Sequence, residues 1–214
     1  MLSCRPRFAP LVPDPLSPAT AEGALEWTRT TLPRGTEAIR FHWRYRDERM
    51  QVGGRGTARI APPDSMRFDY AGPLNMGQGA AVVIGDSVRW ADPADNFRSL
   101  VPAVPMLWVA LGTVRPPAPG ATVYGGGDST RRLWRFVQGA DTLEYAMGGA
   151  PLVLDAQWRR GGQVVAVSHT TFDDHARPLG ARVDFPEAKG RFELTVVAVD
   201  TTALVPPALW RGRR

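Results

Sequence analysis

The chain has 214 residues, a formal net charge of +5 and 43% hydrophobic residues. This length suits one domain with tails, and this apolar content excludes general disorder because it supplies a packed core. The 22 glycines and 20 prolines fall between apolar runs, which favours short strands joined by turns over long helices.

The positive charge is spread along the chain and is carried almost entirely by arginine, since Lys189 is the only lysine. Nucleic-acid binding requires basic residues concentrated on one face, so we expect no nucleic-acid partner. The longest apolar stretch, residues 100–112, contains two prolines and is shorter than the ~20 residues of a membrane-spanning helix. The sequence therefore predicts no membrane-spanning helix.

Residues 1–19 contain five prolines and predict an extended, unpacked leader. Cys4 is the single cysteine, which excludes an internal disulfide and a cysteine-based metal site. The preceding Leu2 and Ser3 fit the end of a bacterial lipobox, in which case Cys4 carries acyl chains and the leader is a tether. The alternative is an unmodified thiol in a frayed terminus, and the sequence leaves both open.

The first helix is predicted between residues 18 and 32. Thr20 is placed to cap it, and Leu25 and Leu32 fall on one face. A strand follows, in which Ile39, Phe41, Trp43 and Tyr45 alternate with basic residues, so one face is apolar and the other cationic.

Four further strands are predicted between residues 50 and 90. Glycines at positions 53, 54 and 56 predict either a bulge or strong bending of the sheet. In residues 97–112 the apolar side chains recur at spacings of three and four, which predicts helical turns interrupted by Pro102 and Pro105. This apolar segment is either a fixed core helix or a mobile lid over an apolar cavity.

Strands resume at residue 121 and continue to residue 200, with glycine-rich hairpin turns between them. We therefore expect a mainly β (α+β) domain, built on a strongly curved antiparallel sheet of about eleven strands. The predicted organisation is a leader over residues 1–19, one domain over residues 20–203 and a basic tail over residues 204–214.

The segment SHTTFDDHARP contains His169, Asp173, Asp174 and His175. These side chains suit either a polar turn between strands or the acid–base or metal site of a hydrolase or metal-dependent enzyme. The sequence nominates no additional ligand or nucleophile. We therefore expect a chain without catalysis, metal or cofactor, and keep the enzyme as the less favoured alternative.

A large set of aromatic and methionine side chains exceeds what a thin sheet with few helices covers easily. Core packing is one explanation, and an adaptable apolar cavity is the other. We predict the cavity and assign its lining to Phe41, Trp43, Met66, Phe68, Tyr70, Trp90, Met106, Leu107, Trp108, Trp134, Phe136 and Tyr145. The remaining members of the set are Met76, Met147 and Trp158.

Three segments occur in a characteristic order after the first helix: GRGTARIAPPDSMRFDYAG, VVIGDSVRWADPADNF and LVPAVPMLWVALG. This order resembles the bacterial LolA/LolB-like lipoprotein-localisation superfamily, including outer-membrane lipoproteins of unknown function. The resemblance covers roughly residues 20–200 as a pattern. It implies an incomplete antiparallel barrel, closed by short helices, whose concave face holds lipid acyl chains.

The resemblance also implies partners and a location. The partners are lipid acyl chains or acylated lipoproteins, together with the membrane surface if Cys4 is acylated. The location is the cell envelope of a Gram-negative-type bacterium, on the periplasmic side of the outer membrane, and we expect a monomer. A structural envelope lipoprotein of the same fold with a filled core is the alternative.

Overall fold

The computed structural model describes residues 10–12, 15–73, 77–94 and 103–210. These residues form two α-helices, α1 (Ala21–Thr30) and α2 (Val104–Ala110), and a 3-10 helix at Pro207–Trp210. The strands are β1 (Ser17–Pro18), β2 (Glu37–Arg46), β3 (Gln51–Ala61), β4 (Ser65–Ala71), β5 (Gln78–Ile84), β6 (Ser87–Asp92), β7 (Thr122–Gly127), β8 (Arg131–Gln138), β9 (Asp141–Gly148), β10 (Val153–Arg160), β11 (Gln163–Phe172), β12 (Pro178–Phe185) and β13 (Gly190–Asp200).

All of these strands belong to one antiparallel sheet in the order β1-β7-β8-β9-β10-β11-β12-β13-β2-β3-β4-β5-β6. Strands β2–β6 form an N-terminal half-sheet and β7–β13 a C-terminal half-sheet, joined where β13 pairs with β2. Within the described residues the edge strands β1 and β6 are not paired with each other, so the barrel is open. The predicted mainly β, incomplete barrel is confirmed.

The strand count differs from the expectation: the sheet has thirteen strands rather than about eleven. One addition is β1, where Ser17 and Pro18 pair with Gly125 and Tyr124 of β7. A two-residue strand has no alternation to reveal it, and proline is compatible with an edge strand because one side of that strand needs no donor. The described part of the predicted unpacked leader therefore packs on the domain, and Val12 is fully buried.

Helix α1 begins as the sequence predicts. The Thr20 side chain accepts a hydrogen bond from the Gly23 amide at 3.1 Å, which satisfies one of the free amides of the first turn. The buried face is centred on Ala24 and Thr28 rather than on the predicted leucines. This face packs on the concave side of the C-terminal half-sheet.

Helix α2 lies on the concave side of the sheet and packs against β10, β11 and β12. Pro105 lies in the first turn of α2, where a backbone N–H makes no hydrogen bond within the helix. The absence of that N–H in proline therefore costs nothing there, and Pro105 lies at the start of the helix instead of interrupting it. The side chains from Met106 to Leu111 are at most 2% exposed. The predicted residues around Pro102 lie outside the described part of the chain. No helix in the described residues has the length and apolarity needed to cross a membrane.

The close packing of the N-terminal half-sheet around β3 depends on glycines. A Cβ atom at Gly54 would lie 1.9 Å from the carbonyl oxygen of Ala71, and one at Gly56 would lie 2.4 Å from the Phe41 ring. Real side chains do not tolerate such approaches, so glycine is required where the neighbouring strand and ring come this close. The pairing of β3 with β2 and with β4 shows no register shift at these glycines, so they form no bulge, and the predicted bending stays a prediction.

Candidate functional site

The concave face of the N-terminal half-sheet carries the first aromatic cluster, Phe41, Trp43, Phe68 and Tyr70. The Phe41 and Phe68 ring centroids are 5.2 Å apart, and Trp43 meets Tyr70 edge to face at 6.0 Å. The glycines opposite give these rings room, and the Trp43 indole crosses β3 to donate to the Arg55 carbonyl at 3.2 Å. Each ring is at most 7% exposed.

The concave face of the C-terminal half-sheet carries the second aromatic cluster, Trp27, Trp134, Phe136 and Tyr145. Trp27 of α1 stacks on Trp134 at 5.7 Å and tilts against Tyr145 at 5.9 Å. Phe136 and Tyr145 are 5.4 Å apart. Burial raises the pKa of the Tyr145 phenol, so this residue stays neutral and serves the packing of the core.

Helix α2 contacts both half-sheets. The Trp108 indole donates to the Gly85 carbonyl in the β5–β6 turn at 2.8 Å, and the Thr170 hydroxyl on β11 donates to the Val109 carbonyl at 2.8 Å. The Arg115 guanidinium lies 5.3 Å from the Trp108 ring and donates to the Pro63 carbonyl. A short apolar helix thus covers the concave surface between the two half-sheets.

Most of the predicted cavity residues lie together on this concave side. Met66, Met106, Leu107 and Trp108 are at most 1% exposed and belong to one buried cluster that includes members of both aromatic clusters. The structure therefore places these side chains in a packed interior. Their role as ligand contacts stays a prediction, because binding requires α2 to give up part of this packing.

Trp90 lies on the opposite side of the sheet. The pairing register shifts between Val82 and Val83, so that Val82 faces Trp90 and Val83 faces Val88. This bulge turns Trp90 outward, where the Arg67 guanidinium lies 5.9 Å from its ring. Strict alternation predicts Val88 and Trp90 on the same face, and only the bulge separates them.

A cavity of about 690 Å³ opens on the outer face of the N-terminal half-sheet. Three of the predicted residues, Phe41, Tyr70 and Trp90, are among its lining. The rest of the lining includes cationic side chains that alternate with the core positions of β2, β3 and β4, among them Arg40, Arg55 and Arg67. Sequence reasoning treated this outer face as solvated and missed the cavity.

The carboxylate of Asp69 is shared by two arginines at this cavity. Arg67 donates to both of its oxygens at 2.8–3.0 Å, and Arg59 donates to one of them at 2.7 Å. Arg67 also donates to the Leu209 carbonyl, so the C-terminal segment lies beside the cavity. Asp69 is thus held in ion pairs by Arg59 and Arg67, and of these two arginines Arg67 lines the cavity.

The His/Asp segment forms a turn. The Asp173 carboxylate accepts from the amides of His175 and Arg177 at 2.8 and 2.9 Å and from the Arg177 side chain. These bonds lower the pKa of Asp173. His169 instead lies 2.7 Å from Asp155 on the neighbouring strand. Across the described ranges, no three His, Cys, Asp or Glu side chains gather as metal ligands.

The leader covers the outer face of the C-terminal half-sheet at β8 and β9. Glu144, which is 1% exposed, accepts from Arg135 at 2.8 Å and from the Leu11 amide at 3.0 Å. Arg135 also donates to the Val12 carbonyl at 3.0 Å. Cys4, the predicted lipidation site, and Met76 lie outside the described residues.

No protein-family model and no curated protein matches the chain. Solved structures are similar in fold. A LolA superfamily protein from Nitrosomonas europaea matches with a TM-score of 0.60 and 11% identity over 91% of this chain and 98% of that chain. A proposed outer membrane lipoprotein-sorting domain from Vibrio parahaemolyticus matches with a TM-score of 0.53 and 9% identity over 90% of this chain and 100% of that chain.

A DUF1329 family protein from Desulfovibrio piger matches with a TM-score of 0.51 and 8% identity, over 89% of this chain and 95% of that chain. Identities this low establish a common fold and nothing further. The resemblance that the sequence pattern indicates is confirmed at that level: the chain has a LolA-like fold.

Proposed function

We propose that this chain is a non-catalytic protein of the bacterial cell envelope that binds the acyl chains of lipids or acylated lipoproteins. The observation that carries the proposal is the concave face, where two aromatic clusters are separated by one short apolar helix. The LolA-like fold supports the same function, since one similar structure is described as a lipoprotein-sorting domain.

Helix α2 occupies the place that an acyl chain would take. Its buried side chains, among them Met106 and Trp108, form apolar contacts of the kind that a hydrocarbon chain replaces at little cost. Two side-chain hydrogen bonds hold it, from Trp108 to Gly85 and from Thr170 to Val109. Burying an acyl chain contributes about 0.8 kcal/mol per CH2, so a chain of ordinary length offsets the loss of these contacts.

The partners in this proposal are lipid acyl chains or acylated lipoproteins, and the location is the periplasmic side of the outer membrane. Acylation of Cys4 would hold the protein at that membrane, with residues 5–9 linking Cys4 to the packed part of the leader. Electrophoresis of the chain from cells fed an alkyne-tagged fatty acid tests this part, because a Cys4→Ser variant loses the label if the cysteine is acylated.

Acyl-chain binding is tested by titrating the purified chain with a fluorescent fatty acid and by native mass spectrometry after mild purification. The expected results are saturable uptake of the fatty acid and, in the mass spectrum, an added mass of the size of a lipid that dissociates on collisional activation. A chain that takes up no fatty acid and carries no added mass would contradict the proposal.

A variant pair sharpens the experiment. Thr170→Val removes the hydrogen bond to the Val109 carbonyl but preserves the shape of the side chain, so α2 is held less firmly and fatty-acid affinity is expected to rise. Thr171→Val on the same strand removes a hydroxyl whose partner is the Gly180 carbonyl, and is expected to leave the affinity unchanged. Equal affinities in the two variants would show that α2 does not gate the site.

A structural envelope protein with a filled core is the second candidate. The observation that favours it is the complete burial of α2, from Met106 to Leu111. In that case neither the parent chain nor Thr170→Val takes up fatty acid. Both variants then differ from the parent in stability alone.

A further inference from the structure

Ser168 of β11 is a fully buried serine on the concave side of the sheet. In the described part of the chain, its hydroxyl oxygen has no hydrogen-bond partner. The side chains beside it are apolar: Ala156 and Val183 face it from β10 and β12, and Ala166 is the preceding inward residue of β11. A buried polar group without a partner is costly, so a hydroxyl at this position calls for a functional explanation.

Ser168 lies on the surface that is proposed to bind acyl chains. It stands in the same cross-strand row as Tyr145, a member of the second aromatic cluster, with Ala156 between them. The next inward residue of β11 is Thr170, whose hydroxyl donates to the Val109 carbonyl of α2 at 2.8 Å. The Ser168 hydroxyl is therefore located between the second aromatic cluster and the contact of β11 with α2.

Displacement of α2 by a ligand leaves a second hydroxyl in the same condition. Thr170 then loses the Val109 carbonyl, so Ser168 and Thr170 both face the ligand from alternate positions of one strand. A pure hydrocarbon leaves both hydroxyls without partners, whereas a ligand with acceptor oxygens supplies one to each of them. The concave surface therefore favours an acyl chain that carries oxygen atoms with it.

The buried polar side chains indicate that these oxygen atoms are uncharged. Arg67 and Glu144 form their ion pairs on the outer face of the sheet, and Gln157 lies directly opposite Glu144 on that face. The other buried polar side chains of the described residues all end in a hydroxyl: Thr28, Thr113, Ser168 and Thr170. An ionised carboxylate buried among hydroxyls lacks a compensating charge, whereas an ester carbonyl needs only a donor.

We infer that Ser168 determines ligand specificity by donating a hydrogen bond to an ester carbonyl, and that the concave face binds diacylglycerol-type lipids in preference to chains without carbonyl groups. A diacylglycerol has two ester carbonyls, one for each of the hydroxyls of Ser168 and Thr170. This inference rests on the proposed acyl-chain function and names the chemical class of its ligand. A free fatty acid also binds in this scheme, with its carboxylate left at the entrance.

The probes are dihexanoylglycerol and its diether analogue, dihexylglycerol. Both are uncharged and have chains of the same length, but the diether lacks the two carbonyl groups. Each is titrated into the full chain while the intrinsic tryptophan fluorescence is recorded. We expect the diester to bind at least about tenfold more tightly than the diether. The diether is the more hydrophobic of the two, so the hydrophobic effect alone predicts the opposite order.

Ser168→Ala tests the role of the hydroxyl. It is expected to reduce the preference for the diester by about fivefold or more and to leave fatty-acid affinity unchanged. Urea-induced unfolding is expected to show a variant at least as stable as the parent, because the lost hydroxyl has no partner in the described residues. The matched control is Thr171→Val, which removes a hydroxyl bonded to the Gly180 carbonyl and is expected to keep the preference.

The inference would be overturned by tighter binding of the diether to the parent, by an equal preference in the parent and Ser168→Ala, or by an equal loss of preference in Thr171→Val. A Ser168→Ala variant less stable than the parent would also overturn it, because the hydroxyl would then serve the fold. Fatty-acid uptake without any preference for the diester overturns this inference alone. Absence of binding by the fatty acid, the diester and the diether contradicts the proposed function and the inference together.

Discussion

The two half-sheets bury similar sets of aromatic residues in different ways. In the C-terminal half-sheet, Trp134 and Tyr145 are covered by Trp27 of α1, and the opposite face of the same two strands is covered by the leader at Val12. In the N-terminal half-sheet, Phe41 lies over Gly56 of the adjacent strand, and the opposite face opens into a cavity. The C-terminal half-sheet is thus closed on both faces at β8 and β9 by other parts of the chain, whereas the outer face of the N-terminal half-sheet opens into a cavity.

This difference separates the leader contact from the cavity within one continuous sheet. The closed half-sheet places a charged pair, Glu144 and Arg135, where the leader excludes water, so its polar groups serve to attach the leader. The open half-sheet places arginines at the border of a cavity. We therefore expect substitutions at the leader contact to destabilise the C-terminal half-sheet and to leave the N-terminal half-sheet unaffected.

The largest effect is expected from Trp108→Ala, because Trp108 of α2 reaches the turn of one half-sheet while its helix packs on the other. Loss of a fully buried indole is expected to lower the free energy of unfolding by about 3–5 kcal/mol. Urea-induced unfolding measures this. Trp108→Phe is the control and is expected to cost less, because it keeps a ring and loses the bond to Gly85. A loss below about 1 kcal/mol for the alanine variant would mean that α2 does not join the half-sheets.

Glu144→Gln is expected to break the attachment of the leader. Arg135 then keeps its charge beside a neutral side chain, and removal of one partner from a buried ion pair costs about 3 kcal/mol. Hydrogen exchange is expected to accelerate in β8–β10 and to stay unchanged in β2–β4. Glu187→Gln, in an exposed turn, is the control. Acceleration in both half-sheets alike would contradict the separation drawn between them.

Gly56→Ala tests the packing of the open half-sheet. The added Cβ atom meets the Phe41 ring at 2.4 Å, so overpacking is expected to lower the free energy of unfolding by about 1–3 kcal/mol. At Gly35 a Cβ atom meets nothing within 4 Å, so Gly35→Ala is the matched control. The double variant Gly56→Ala with Phe41→Leu is expected to recover part of the loss. Additive losses in the double variant would show that the ring is not the source of the strain.

Thr20→Ala removes the cap of α1, and caps of this kind contribute about 1 kcal/mol. Helix α1 packs on the second aromatic cluster, so the fluorescence of Trp27 and Trp134 is expected to change. Hydrogen exchange in β2–β4 is expected to stay unchanged. Thr20→Ser keeps the accepting oxygen and is expected to behave as the parent chain. A serine variant as unstable as the alanine variant would assign the effect to the lost methyl group.

The smallest effect concerns acid stability. Hydrogen bonds from Arg160 and from the Trp158 indole lower the pKa of Asp141 in the β8–β9 hairpin. As pH falls, Asp141 is therefore protonated in the unfolded chain before it is protonated in the folded one. Its contribution to the free energy of unfolding is complete above the unfolded-state pKa and is lost as pH falls through the folded-state pKa. Urea midpoints from about pH 6 to about pH 3 are expected to fall less steeply for Asp141→Asn than for the parent. Identical slopes would contradict this assignment.

Local patterns predict much of this fold. Alternation identifies β2 and β4, the Gly85–Asp86 pair marks a two-residue hairpin turn, and Thr20 marks the start of α1. Each of these depends on residues close together in the chain. The candidate site is predicted less completely: the aromatic set is correctly placed on a common surface except for Trp90, but its contact with a ligand stays a prediction.

The outer cavity could not be predicted, because its floor and border depend on the pairing registers of several strands. Thr57, Asp69 and Ala80 become neighbours only through the pairing registers of three strands.

The sequence by itself determined which residues can form strands, where the chain turns and which side chains must avoid water, because these properties depend on periodicity and on backbone sterics within a few residues. The tertiary structure decided which face each half-sheet leaves open. Val12 covers part of one outer face, a bulge turns Trp90 onto the other, and α2 fills the space between the half-sheets. These arrangements depend on which distant segment of the chain packs on a given apolar surface, and the pattern of neighbouring residues does not predict that.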